Sequence, residues 1–105
     1  MPTVTVIYPR TDGATFDFDY YERVHLPLVA KSWADAGLTG ARALRGLAGG
    51  DGGDPAFVAI ALISFDTMES FQAAMAGPHA DKIVADVANF TSIQPVIQVN
   101  DAIGG

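Results

Sequence analysis

A chain of 105 residues, half of them apolar and 17% charged, carries enough hydrophobic material for one folded core and is too short for two. Twelve acidic against six basic residues leave a net charge of −6, which argues against nucleic acid and anionic membrane as partners, since both select basic patches. The absence of cysteine excludes disulfides, thiolate metal sites and a cysteine nucleophile.

The opening residues Met1-Pro2-Thr3-Val4-Thr5 lack the basic and apolar regions of a signal peptide, and no apolar run approaches the ~20 residues that span a bilayer. A cytoplasmic location is the expectation. The chain reads as one domain over 1–105, small enough that oligomerisation would help bury its surface.

Thr3 to Tyr8 is β-branched-rich and reads as a first strand, with Val4, Val6 and Tyr8 on one face. Asp12 and Gly13 mark the turn that follows, and Thr15 is positioned to cap a helix whose first turn holds Asp17 and Asp19. That helix extends to about Ala36, with Gly37 at its C′ position. Pro27 lies inside it, where it removes a backbone donor and leaves the Arg23 carbonyl without its usual partner, so a kink is expected there.

A weaker strand signal covers Ala41 to Leu47, and Gly49 to Pro55 reads as a loop. Phe57 to Phe65 is almost continuously apolar, the pattern of a strand covered on both faces. Asp66 with Glu69 resembles a capping box, and Met68, Phe71 and Met75 share one face of the helix that it opens. Gly77-Pro78 interrupts this helix and starts another, striped by Ile83, Val84 and Val87. Ile93 to Val99 alternates as a last strand, with Pro95 suggesting an edge or a bulge.

The order is β-α-β-β-α-β, the ferredoxin-like α+β arrangement, in which a four-stranded antiparallel sheet carries its helices on one face. The other face is then bare beneath a strand apolar on both sides. Two sheets packed face to face in a homodimer would cover it.

Candidate chemistry concentrates on the first helix. His25 shares a helical stripe with Phe18, Tyr21, Val29 and Ser32, so a ring suited to proton transfer faces apolar neighbours. It is the candidate general base or acid; a structural role, tying the helix to a carbonyl, is the alternative. Tyr21, one turn earlier, can donate to a developing oxyanion. Tyr20 lies about 100° away on the helix, so only one of the two phenols can point squarely at a shared ligand. Tyr8 could reach the mouth of the same cavity, and Phe18, Trp33 and Phe90 are aromatic enough to line it.

Asp17, Asp19 and Glu22 form no metal constellation with His25, and no metal site is expected. His79, beside Pro78, reads as a solvated residue. Gly49 to Gly53 lacks the lysine and hydroxyl ending of a phosphate loop, and no serine nucleophile elbow is present.

Ile7-Tyr8-Pro9 followed by Phe16-Asp17, Tyr20-Tyr21 and His25-Leu26-Pro27-Leu28, then Phe65-Asp66-Thr67-Met68-Glu69-Ser70-Phe71 and Ala88-Asn89-Phe90-Thr91, resembles the EthD family. That family takes its name from a protein linked to ethyl tert-butyl ether degradation and belongs to the dimeric α+β barrel superfamily. The resemblance spans residues 4 to 99 and implies a homodimer with a cavity between sheet and helices.

Relatives of similar architecture include polyketide cyclases, cofactor-free monooxygenases, muconolactone-type isomerases and haem-handling enzymes. The reading that follows is a cofactor-independent enzyme for a small apolar oxygenated compound, with proton transfer next to a carbonyl at its centre. The alternatives are a non-catalytic binding protein serving a degradative oxygenase and, through His79, a haem-binding protein.

Overall fold

In the computed structural model, which describes residues 1–104, the chain runs β1 (Thr3–Pro9), a first helix α1 (18–33), β2 (Leu38–Arg45), β3 (Phe57–Phe65), α2 (Met68–Ala76), α3 (Pro78–Asp86) and β4 (Val96–Asn100). A 3-10 turn, Val87–Asn89, extends α3. The sheet order is β2-β3-β1-β4 with every neighbouring pair antiparallel, so the expected α+β ferredoxin-like fold is the fold observed.

Helix α1 is continuous but changes pitch twice. Phe18–Tyr20 is α-helical, Tyr21–His25 is π-helical, and Leu26–Trp33 is α-helical again. The Leu26 N–H donates to the Tyr21 carbonyl, five residues back instead of four. Pro27, which has no N–H to give, then falls at the start of the following α-helical segment, where the missing donor matters least. One widened turn therefore precedes Pro27. This is an inserted-residue geometry that recurs at functional sites.

The ends of several elements differ from expectation. Asp17, not Thr15, caps α1, its carboxylate accepting from the Tyr20 N–H. The Thr15 carbonyl instead accepts from the Thr91 hydroxyl at 2.6 Å. Thr67, not Asp66, caps α2 by accepting from the Ser70 N–H, while the Asp66 N–H donates to the Gly37 carbonyl. Strand β2 begins earlier than Ala41, and β4 begins only at Val96 because Pro95 cannot donate to a ladder.

Alternation along β3 buries Ala59, Ala61, Ile63 and Phe65 under the helices and sends Val58, Ile60 and Leu62 to the opposite face. Register places Val4 against Ile63 and Val6 against Ala61, so β1 contributes to the same covered face. The buried core forms two clusters. One gathers Val4, Val29, Trp33, Ile63, Phe65, Ala74 and Ile83; the other gathers Tyr8, Tyr21, Ala59, Phe90 and Ile93.

Gly37 ends the turn after α1 at φ 90°, and a Cβ there would lie 2.5 Å from Asp66 Oδ1 and 2.7 Å from the Ser70 Cβ. Gly37→Ala is expected to destabilise the protein by at least about 1–2 kcal/mol from backbone strain alone, before the clash is counted. Thermal unfolding of the two proteins checks this. An unchanged midpoint would mean that the α1 to β2 turn does not need glycine.

Candidate functional site

Four groups meet where α1 crosses the C-terminal end of α3. His25 Nδ1 lies 2.9 Å from Asp86 Oδ2. The Tyr20 hydroxyl donates to Asp86 Oδ1 at 2.6 Å, and Asn89 Nδ2 donates to the same oxygen at 3.0 Å. The residues that meet are about sixty apart in the chain. They are held in register by a zipper between the start of α1 and the segment after α3. There the Asp17 N–H donates to the Phe90 carbonyl at 2.7 Å, and Phe16 pairs with Thr91.

Burial penalises the Asp86 carboxylate, yet the hydrogen bonds from Tyr20, Asn89 and His25, with the charge His25 can carry, outweigh it and hold the carboxyl below its ordinary range. Ionised Asp86 can only accept, so His25 Nδ1 must carry the proton. The imidazole lone pair is then on Nε2. This is the arrangement of a carboxylate-oriented general base.

His25 is 5% exposed and lines a cavity of about 500 Å³ between sheet and helices. The walls are mainly hydrocarbon, from Val4 and Val6 of β1, Ile63 and Phe65 of β3, Val29 of α1 and Ile83 of α3. Ile97 on β4 also lines it; although on the covered face, it is largely exposed, because no helix extends over that edge.

The widened turn decides which side chains face this space. Tyr21 and His25 are both buried and line the cavity, their rings stacked at 16° with centroids 5.7 Å apart. Tyr20 turns away to Asp86, in keeping with the angular separation of adjacent helix positions. Tyr8 and Trp33 also line the cavity. Phe90 does not; it packs 4.6 Å from the His25 ring and fixes it from behind. Phe18 lies outside as well, under the Arg45 guanidinium at 4.0 Å. His79 does not line it.

Burial pushes the Tyr21 phenol up to about 12. Tyr8 is raised further, by burial and by the nearby Tyr21. Both remain protonated donors at neutral pH. The Tyr21 hydroxyl and the Trp33 indole N–H are buried without a hydrogen-bond partner. Such an unmet donor costs about 1–3 kcal/mol, which is hard to retain in a packed core without a use.

Asp86 and Asn89 are functional candidates that reading along the chain passed over. Asp86 looks like an ordinary polar helix end, and only its contact with His25 distinguishes it. Among the described residues no group of three or more His, Cys, Asp or Glu could hold a metal ion, and no helix is long and apolar enough to cross a membrane.

The fold and site define a small α+β protein with an apolar cavity under its helices and a histidine–aspartate pair at the cavity wall. An EthD domain matches residues 9–94, and the chain belongs to the EthD family. An EthD-like protein from Ralstonia eutropha is 40% identical over 95% of this chain and 89% of that one, with a TM-score of 0.86. An EthD family protein from Bacillus halodurans is 22% identical over 98% and 99% of the two chains, with a TM-score of 0.77. An antibiotic biosynthesis monooxygenase is 12% identical over 99% and 100%, with a TM-score of 0.52, a likeness of fold alone. The sequence has no match among curated proteins.

The depressed Asp86 titration gives a pH dependence of determined sign. A carboxyl whose folded-state pKa is lowered contributes stability above its ordinary value of 3.8 and loses it as pH falls through the folded-state value. Wild-type melting temperature should therefore drop on acidification below about pH 4, and Asp86→Asn should flatten that drop. Thermal melts across an acid series check it; parallel profiles for the two proteins would refute the assignment.

Proposed function

We propose that this protein is a general-base enzyme that moves a proton at the carbon next to a carbonyl in a small, largely apolar compound. The observation that carries the reading is His25. Its Nδ1 is committed to Asp86, and its ring lines an apolar cavity beside the unpartnered Tyr21 hydroxyl.

In the proposed step His25 Nε2 takes the α-proton. The C–H electron pair becomes the new C=C bond, and the carbonyl π pair moves to oxygen. Tyr21, a neutral phenol with no other acceptor, donates to that enolate oxygen, and Tyr8 is the second candidate donor. Return of the proton from His25 to a different atom completes an isomerisation; elimination of a β-substituent gives a dehydration. Both are redox-neutral, so the step calls for no cofactor.

The same proposal includes a homodimer. Ile7, Ile60, Leu62, Leu44 and Val58 alternate onto the sheet face that carries no helix, and Leu44 is 43% exposed there. A second copy presenting the same face would cover it. Leu62→Asp should convert a dimer to a monomer in light scattering, whereas an unshifted mass would refute the interface.

The chemistry is tested by proton–deuterium exchange at the α-carbons of a panel of simple ketones, followed by NMR. Wild type should accelerate exchange, His25→Ala should lose about 10²–10⁴-fold, and Tyr21→Phe a smaller factor. Wild-type exchange rates in folded His25→Ala would eliminate the general-base role. Ketone binding with no accelerated exchange would instead favour the non-catalytic binding protein.

A further inference from the structure

We propose that the ligand of this cavity is elongated and carries a hydrogen-bond acceptor at each end, one for Tyr21 beside His25 and one for the indole N–H of Trp33. The inference rests on the reading of His25 and Tyr21 given above and adds the far end of the molecule that they would act on.

Two independent orphan donors support it. The Tyr21 hydroxyl and Trp33 Nε1 are both sealed from solvent, both lack a hydrogen-bond partner, and both residues line the same cavity. The two residues are 4% and 5% exposed. An indole N–H can only donate. The buried residues that cluster with Trp33, among them Val4, Val29, Ile63, Phe65 and Ile83, bring hydrocarbon side chains, and no acceptor lies within hydrogen-bond distance of Nε1. The ring is also fixed, edge to face with Phe65 at 5.7 Å, so Nε1 is not free to swing toward a distant carbonyl.

Spacing sets the shape of the ligand. Tyr21 and Trp33 are twelve positions apart on one helix, roughly 18 Å of Cα rise at 1.5 Å per residue, less the shortening of the widened turn. That separation along the helix favours an elongated compound over a compact single ring. A molecule with an apolar middle and an oxygen at either end matches a wall that is hydrocarbon between two donors. The proximal oxygen is the carbonyl activated for proton loss, and the distal one is an ether, hydroxyl or second carbonyl that only positions the molecule. A volume of about 500 Å³ accommodates such a chain or fused ring system.

The test uses symmetrical aliphatic diones against monoketones of equal length, with chains of roughly eight to fourteen carbons bracketing the helical span. Trp33 is the only tryptophan of the chain, so its fluorescence reports the distal contact directly in the unmodified protein. A dione of matching length should bind about five- to tenfold more tightly than its monoketone and shift the indole emission to the red, while the monoketone leaves the emission in place. By calorimetry, Trp33→Phe should abolish the dione preference, whereas Tyr21→Phe should weaken both ligands.

A wild type with no dione preference at any length, or a preference that survives in Trp33→Phe, overturns the inference. If α-proton exchange persists in the first case, the general-base reading stands and only the distal contact falls. If dione preference persists without exchange, the catalytic reading falls alone. Failure of every probe to bind overturns both.

Discussion

The Asp86 carboxylate is the constraint on which the site depends. It accepts from Tyr20, His25 and Asn89 and so pins the middle of α1 to the end of α3. A carboxylate taken this far out of water is tolerable only with such partners; stripped of them, it would be an uncompensated charge against a hydrocarbon wall. Three donors on two oxygens also make Asp86 a weak base. It therefore leaves the proton on His25 Nδ1 and the lone pair on Nε2. One set of hydrogen bonds thus sets helix packing, tautomer and ring orientation together.

The widened turn of α1 makes that geometry compatible with the cavity. A regular helix containing Pro27 would have to bend or lose a hydrogen bond, and either would shift His25 relative to Asp86. In the widened turn the Leu26 N–H reaches the Tyr21 carbonyl, and the Tyr21 and His25 rings stack nearly parallel. Phe90 closes the back of both, at 5.0 Å from Tyr21 and 4.6 Å from His25. Aromatic packing of this kind restricts the rings without supplying competing hydrogen bonds. The Tyr21 hydroxyl is left unpartnered as a result.

The cavity follows from a mismatch between a wide sheet and helices that do not cover all of it. Helices α1 and α3 cover β1 and β3, but Ile97 and Val99 of β4 remain largely exposed on the same face. A packed core would close that space, since apolar burial is worth roughly 25 cal/mol per Å². Here the gain is forgone beside two unsatisfied donors, and the losses fall where the His25 ring faces inward. Stability is given up at the residues proposed to hold a ligand, a trade common at functional sites.

Much of the fold was legible along the chain because the determinants are local. The alternation of Phe57–Phe65, the Gly37 turn and the Gly77-Pro78 break each act through their own backbone, and they lead to the β-α-β-β-α-β order without knowledge of contacts. His25 and Tyr21 stand out for the same reason, as polar rings on an apolar stripe. Helix caps were less legible, since Thr15, Asp17, Asp66 and Thr67 have similar capping chemistry and neighbouring strands decide which is free to cap. Asp86 was not legible at all, and Asn89 only as part of a family motif with no role attached. Their importance lies in a contact across about sixty residues, which no local pattern encodes. The sequence by itself determined the elements and the family, because hydrophobic period and turn chemistry are written in adjacent residues. Only the tertiary structure decided that Tyr20 serves Asp86, that Tyr21 and Trp33 are left with unmet donors, and that His25 Nδ1 bonds to Asp86, because none of these contacts is written in adjacent residues.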